Sequence, residues 1–150
     1  GKKNLYQEVL NAQAVVFFKL IDDIRHMNMS PLTKLRHYVD ALSKIQETNP
    51  ESIPLICREL LAPQPIFEKF VKNKLYALHQ FMTELVEQAI ECKEIHTDIK
   101  PTHVAFTIES TIMFFFLTQH QVQELGNYAP GEQGIYLTQV LETYLASLSK

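Results

Sequence analysis

Apolar positions recur at the helical period along nearly the whole chain. From about Lys3 to Met27, Leu5, Val9, Ala12, Val16, Leu20 and Ile24 follow i, i+4, i+7 spacing, with Leu10, Phe17 and Ile21 widening the stripe. "NMSPL" breaks that pattern. Ser30 is a natural N-cap and Pro31 a natural first helical residue. The second helix points Leu32, Leu35, Val39, Leu42 and Ile45 inward and stops at Asn49-Pro50, because a residue before proline resists the helical region. A short third helix, "SIPLICRELL", takes Ser52 as its cap and ends at Ala62-Pro63. A long fourth, Gln64 to Ile95, carries Phe67, Phe70, Val71, Leu75 and Leu78, then Phe81, Met82, Leu85, Val86 and Ile90, on one stripe. After "HTDIK" a fifth opens at Pro101, and a sixth runs from Glu132 to about Leu148 with Leu137, Leu141, Tyr144, Leu145 and Leu148 on one face. "GNYAPG" between them is the one clearly flexible loop. No strand pattern of comparable length appears, and no internal repeat. The expectation is an all-α bundle of about six helices, about three-quarters or more helical.

The fifth helix is apolar nearly all round, through Val104, Phe106, Ile108, Ile112 and the run from Met113 to Leu117. A helix of that kind must be covered on more than one side. A second copy of the chain is the simplest cover, since closed two-fold dimers are the commonest oligomers. Candidate contacts are Ile112, Phe115, Phe116 and Gln119 on the fifth helix, and Leu137, Leu141, Tyr144 and Leu148 on the sixth.

Composition narrows the function. Of 150 residues, 46% are hydrophobic and 21% charged, an ordinary globular balance. A net charge of -3 argues against these residues alone forming a nucleic-acid-binding surface, which needs a basic stripe. Cys57 and Cys92 lie far apart, outside any C-x-x-C motif, and read as reduced, mostly buried thiols. The most apolar stretch contains Glu109 and two histidines, so it is a poor membrane span. No secretory signal precedes the first helix, and cytoplasm is the expected location.

No catalytic, cofactor-binding or metal-binding spacing is found: no H-E-x-x-H, G-x-S-x-G, P-loop or G-x-G-x-x-G. The six histidines are scattered, with no partner histidine or carboxylate read at i, i+4. No catalytic residue, cofactor or metal is therefore assigned. Glu109 stands mid-helix among phenylalanines, where an unpaired carboxylate is costly. Either it faces solvent or the edge of a groove between copies, or it lines a cavity. A ligand cavity in such a bundle would have mostly apolar walls and a few polar groups. The wall candidates are Phe17, Ile21, Tyr38, Leu42 and Phe70, with Leu78, Phe81, Met82, Phe106 and Ser110. They would lie between the first, second, fourth and fifth helices and suit a small apolar or aromatic effector.

The opening "GKKNLYQEVL" resembles the junction in the TetR family of bacterial transcriptional regulators, through Gly1, Lys3, Asn4, Leu5, Tyr6 and Val9. There a helix-turn-helix domain leads into a long connecting helix. "RELLAP" resembles a short helix and proline break in some members, and "IHTDIKPTHVAF" the polar turn and proline before the penultimate helix. Lys100 stands where many members carry Asp, so the acidic cap expected there is absent from the sequence. The resemblance spans essentially the whole chain as one ligand-binding and dimerising domain whose DNA-binding domain would stand in front of Gly1. It implies a cytoplasmic homodimer, with no membrane contact, that meets DNA only through that domain. An effector would change the spacing of the two DNA-reading heads, which requires that it prefer one of two states. A stand-alone helical interaction or carrier protein is the competing reading. A small helical enzyme is disfavoured by the lack of any convergent acid, base, nucleophile or metal set.

Overall fold

Each helix begins and ends where local chemistry supplies or withholds backbone partners. The computed structural model describes residues 2–65 and 68–148, without the side chains of residues 2–4 and 70. Six helices follow in order: α1 (Lys2–Arg25), α2 (Pro31–Thr48), α3 (Ser52–Leu61), α4 (Glu68–Glu91), α5 (Pro101–Leu125) and α6 (Gly134–Ser147). The chain is 79% helical, and the all-α expectation holds.

α2 starts as expected. Pro31 occupies its first turn, and the Thr33 N–H donates to Ser30 Oγ at 3.4 Å. It ends at Asn49, whose φ of -144° is extended, as the following proline demands. α3 departs from expectation. Ser52 is its first helical residue rather than its cap, and the cap, Glu51, makes no side-chain capping bond. The Ser52 hydroxyl is used elsewhere, on α1.

α4 ends at Glu91, short of the expected Ile95. Lys93 turns into the left-handed region at φ 62°, its N–H donates to Ile90 O, and the Glu94 N–H donates to Ala89 O at 2.8 Å. That is a Schellman-type closure, and the reversal carries Ile95 into the core. α5 opens on Pro101 with Lys100 as a cap that makes no side-chain bond. It runs on to Leu125 but leaves helical geometry at Thr118, where φ is -120°. The Thr118 hydroxyl donates back to Phe114 O at 2.7 Å, a bond that bends helices. After Gly126 the chain folds back so closely that a Cβ there would meet the Tyr128 ring at 2.4 Å.

The chain forms two compact units, Gly1–Leu75 and Tyr76–Lys150, with the boundary inside α4. In the first, α1, α2 and α3 pack on one another, and Leu10 and Val71 form a small cluster with Tyr6 and Leu60 against it. In the second, α5 packs on α6. Phe81, Met82, Ala89, Val104, Ile108, Phe116 and Leu137 are buried there.

The burial of α1 corrects the expected stripe. Leu10, Ala14, Phe17, Ile21 and Ile24 are buried, whereas Leu5, Val9 and Val16 are exposed. α1 carries two apolar stripes, and the one with the larger side chains is buried because it removes more apolar area from water. Phe17 meets Tyr38 edge-on, with ring centroids 6.2 Å apart. Cys57 is buried but Cys92, beyond the end of α4, is exposed, contrary to the expectation for both thiols. Phe67 of the expected α4 stripe lies outside the described residues.

The two α1 stripes are separable by one pair of substitutions. Leu10→Ala should cost about 2–5 kcal/mol. Leu5→Ala, at 64% exposure, should stay within about 0.5 kcal/mol of the parent. Urea denaturation followed by circular dichroism checks both.

Candidate functional site

The side of α3 that faces α1 carries two buried polar residues one heptad apart, Ser52 and Glu59. Both bond to α1. The Ser52 hydroxyl donates to Gln13 Oε1. The Tyr6 hydroxyl donates to Glu59 Oε2 at 2.6 Å. Tyr6 and Gln13 are themselves one heptad apart on α1, so the helices run antiparallel with two matched polar rungs. The second Glu59 oxygen accepts the Gln64 N–H at 3.0 Å, beyond the end of α3. Burial, and then the bond to Glu59 and its charge, push the Tyr6 phenol up to about 12.

Around the Gln13–Ser52 rung lies a cavity of about 280 Å³, walled by α1, α2 and α3. Its apolar lining is Ala12, Val16, Phe17, Ile45, Ile53 and Ile56. Its polar lining is Gln13, Thr48, Asn49 and Ser52. Among the described residues, no charged one lines it. Apolar walls with a few placed polar groups are the make-up of small-molecule sites.

Of the residues expected to wall a pocket, Phe17 lines this cavity. Ile21, Tyr38 and Leu42 are buried in the same unit but are not among its lining residues. Leu78, Phe81 and Met82 are buried in the second unit, while Phe106 and Ser110 are exposed there. The Phe70 side chain lies outside the described residues. Of the expected dimer contacts, Ile112, Phe115, Phe116, Gln119, Leu137, Leu141 and Leu148 are buried within the single chain, and Tyr144 is half-buried.

The second unit holds a polar cluster that the sequence reading missed. His79 on α4 meets Glu109 on α5 through Nδ1, 3.0 Å from Oε1. His79 Nε2 lies 2.6 Å from the Thr102 hydroxyl, and the Phe106 ring stacks on the imidazole at 4.2 Å. Glu109 is therefore paired rather than solvent-facing. With Nδ1–H donating to the carboxylate, Nε2 accepts from Thr102, and the chain of bonds clamps α4 to α5. None of these residues lines the cavity. Burial lifts the Glu109 carboxyl above its ordinary value, and the opposing pull of His79 does not cancel that. Spacings of 30 and 23 residues put these partners beyond any local motif. A mid-helix Glu between phenylalanines was the only signal. Two pairs at i, i+4 were also overlooked: Asp22 and His26, 3.7 Å apart and well exposed, and His120 and Glu124. Among the described residues no three His, Cys, Asp or Glu side chains are grouped so as to hold a metal ion. No helix there is long and apolar enough to cross a membrane.

A family model described as the C-terminal region of YcdC-like proteins, a TetR-type region, matches residues 15–143. No curated protein matches the chain.

Two titrations probe these contacts. Tyr6→Phe leaves the buried Glu59 carboxylate one donor short and should cost about 1.5–3 kcal/mol in denaturant unfolding. Because folding raises the Tyr6 pKa, its contribution is present below pH 10 and lost as pH rises through about 12. The stability gap between parent and Tyr6→Phe should shrink over that interval.

Glu109→Gln keeps a carbonyl acceptor for His79. A raised carboxyl means the folded protein binds that proton more tightly. Its contribution is therefore full below about pH 4.5 and lost as pH rises through the lifted value. The stability of the parent relative to Glu109→Gln should fall as pH rises from 4.5, measured by urea denaturation across the series.

Proposed function

The chain belongs to the family of YcdC-like C-terminal regions of TetR regulators, and from that premise we propose that it senses a small molecule and holds two copies together. This family is regulatory rather than enzymatic. The observation that carries the sensing half is the position of the cavity. Its wall includes α1 itself, at Ala12, Gln13, Val16 and Phe17. α1 is the helix that carries the junction motif. A DNA-binding head in front of α1 would feel any change in how α1 sits on α3. A ligand that binds one placement of α1 better than another shifts the population between them, and with it the spacing of two heads. The effector in this reading is small and apolar or aromatic.

The dimerising half rests on α5 and α6. Large apolar side chains left exposed on them include Phe114, Leu125, Ile135 and Tyr136. Phe114 is 68% and Leu125 88% exposed, and Tyr136 stacks on the buried Phe115. These side chains, with the half-buried Tyr144, are available to a second copy, while the buried residues behind them hold the face in shape.

Two measurements test the proposal. Sedimentation should find a dimer at micromolar concentration. Phe114→Asp should turn it into a monomer of unchanged helicity; a monomeric parent protein ends the dimer reading. In a thermal-shift screen of apolar and aromatic compounds, a true effector at a hundred times its Kd should stabilise the protein by about 2.7 kcal/mol. Ala12→Phe, which fills the cavity from an exposed position, should abolish that shift. If Ser110→Phe abolishes it and Ala12→Phe does not, the ligand sits beside α5, as the sequence alone suggested.

A further inference from the structure

The chemistry of the cavity restricts what can occupy it. At about 280 Å³ it falls just below the range of roughly 300–1,000 Å³ usual for drug-sized ligands, so the occupant is compact. Six of its ten lining residues are apolar, and none of the ten is charged. A charged head seated on the buried Ser52 would meet no counter-charge among these residues.

Several of the polar atoms present are committed, and the Asn49 carboxamide adds a further neutral donor and acceptor. The Thr48 hydroxyl donates to Lys44 O and Ile45 O, each at 3.2 Å. The Asn49 N–H closes α2 on Ile45 O. Ser52, at 5% exposure, spends its proton on Gln13 Oε1. That arrangement leaves the Gln13 amino group as donor beside the Ser52 lone pairs as acceptor. A neutral group such as a carboxamide or hydroxyl can satisfy both, and a bare hydrocarbon satisfies neither.

We infer that the cavity takes a compact, uncharged molecule with an apolar or aromatic body and one neutral hydrogen-bonding group, seated on Gln13 and Ser52. The inference rests on reading the cavity as the effector site. It also identifies how binding reaches α1. The Gln13–Ser52 bond is the inner of the two rungs between α1 and α3, and a polar head on the Gln13 amino group and the Ser52 lone pairs adds a second bridge beside it. Tyr6–Glu59 then remains as the outer tie, one heptad away. Occupancy is thus converted into a firmer hold of α3 on α1 at this rung.

The test uses three probes of one shape: benzamide, benzoate and benzamidine. Ligand-observed NMR measures binding to the parent protein, to Gln13→Leu and to Ala12→Phe, with helicity checked by circular dichroism. The Gln13 side-chain amide resonances, assigned by their loss in Gln13→Leu, report contact directly. The expected result is benzamide binding that shifts those resonances, with benzoate and benzamidine at least about tenfold weaker. Gln13→Leu should weaken benzamide severalfold, and Ala12→Phe should abolish its binding. If benzoate or benzamidine binds as tightly as benzamide and Ala12→Phe blocks it, the restriction to uncharged ligands is overturned and the effector site stands. If the compound screen yields an effector blocked by Ala12→Phe but benzamide leaves the Gln13 resonances unmoved, the inference again falls alone. If every probe binds indifferently to Ala12→Phe, the cavity is not the site and both readings fall.

Discussion

A buried carboxylate bonded to a phenol organises the first half of this protein. Glu59 is 6% exposed, and its hydrogen-bond partners are a phenol and a backbone amide. Burying that group without donors would cost several kcal/mol, so its surroundings must supply them. The Tyr6 hydroxyl does so from α1 and the Gln64 N–H from the segment past Pro63. One side chain thereby holds the start of α1 against α3 and fixes the chain's exit from α3. Tyr6 belongs to the short junction motif that resembles the regulator family. Its presence there has a physical reason independent of the resemblance: it supplies a donor that Glu59 needs.

The second rung, Gln13–Ser52, plays a different part. It sits in the wall of a cavity rather than beside the small apolar cluster of Leu10 and Val71. Two ties at heptad spacing, one to a carboxylate and the other neutral and in a cavity wall, give an antiparallel helix pair a firm end and a yielding end. A charged hydrogen bond contributes about 1.5–3 kcal/mol and a neutral one about 1. That difference makes the neutral rung the one that a bound ligand alters most. The second unit uses the same kind of chemistry as a clamp. Glu109 would be costly among phenylalanines but for His79, which is held in turn by Thr102 and covered by Phe106.

The helices themselves were legible in the sequence because their signals are local. Ser30-Pro31, Asn49-Pro50, Ala62-Pro63 and Pro101 mark ends through backbone sterics and capping, which need no distant partner. Where a boundary moved, a tertiary demand moved it. Ser52 could cap α3, but its hydroxyl is taken by Gln13. α4 could continue to Ile95, but Lys93 turns left-handed and Ile95 joins the core. The resemblance in "GKKNLYQEVL" and "IHTDIKPTHVAF" was legible for the same reason, being carried by short contiguous runs.

By itself, then, the sequence determined an all-α chain of six helices and its regulator family, since periodicity, capping and contiguous motifs are properties of neighbours along the chain. Only the tertiary structure decided which of two apolar stripes on α1 is buried, because both have the helical period and differ only in the area they remove from water. It alone joined Tyr6 to Glu59, Gln13 to Ser52 and His79 to Glu109, across 53, 39 and 30 residues. And it alone placed a cavity among α1, α2 and α3, since empty space depends on how helices pack, and a tightly filled core would be written with the same apolar residues.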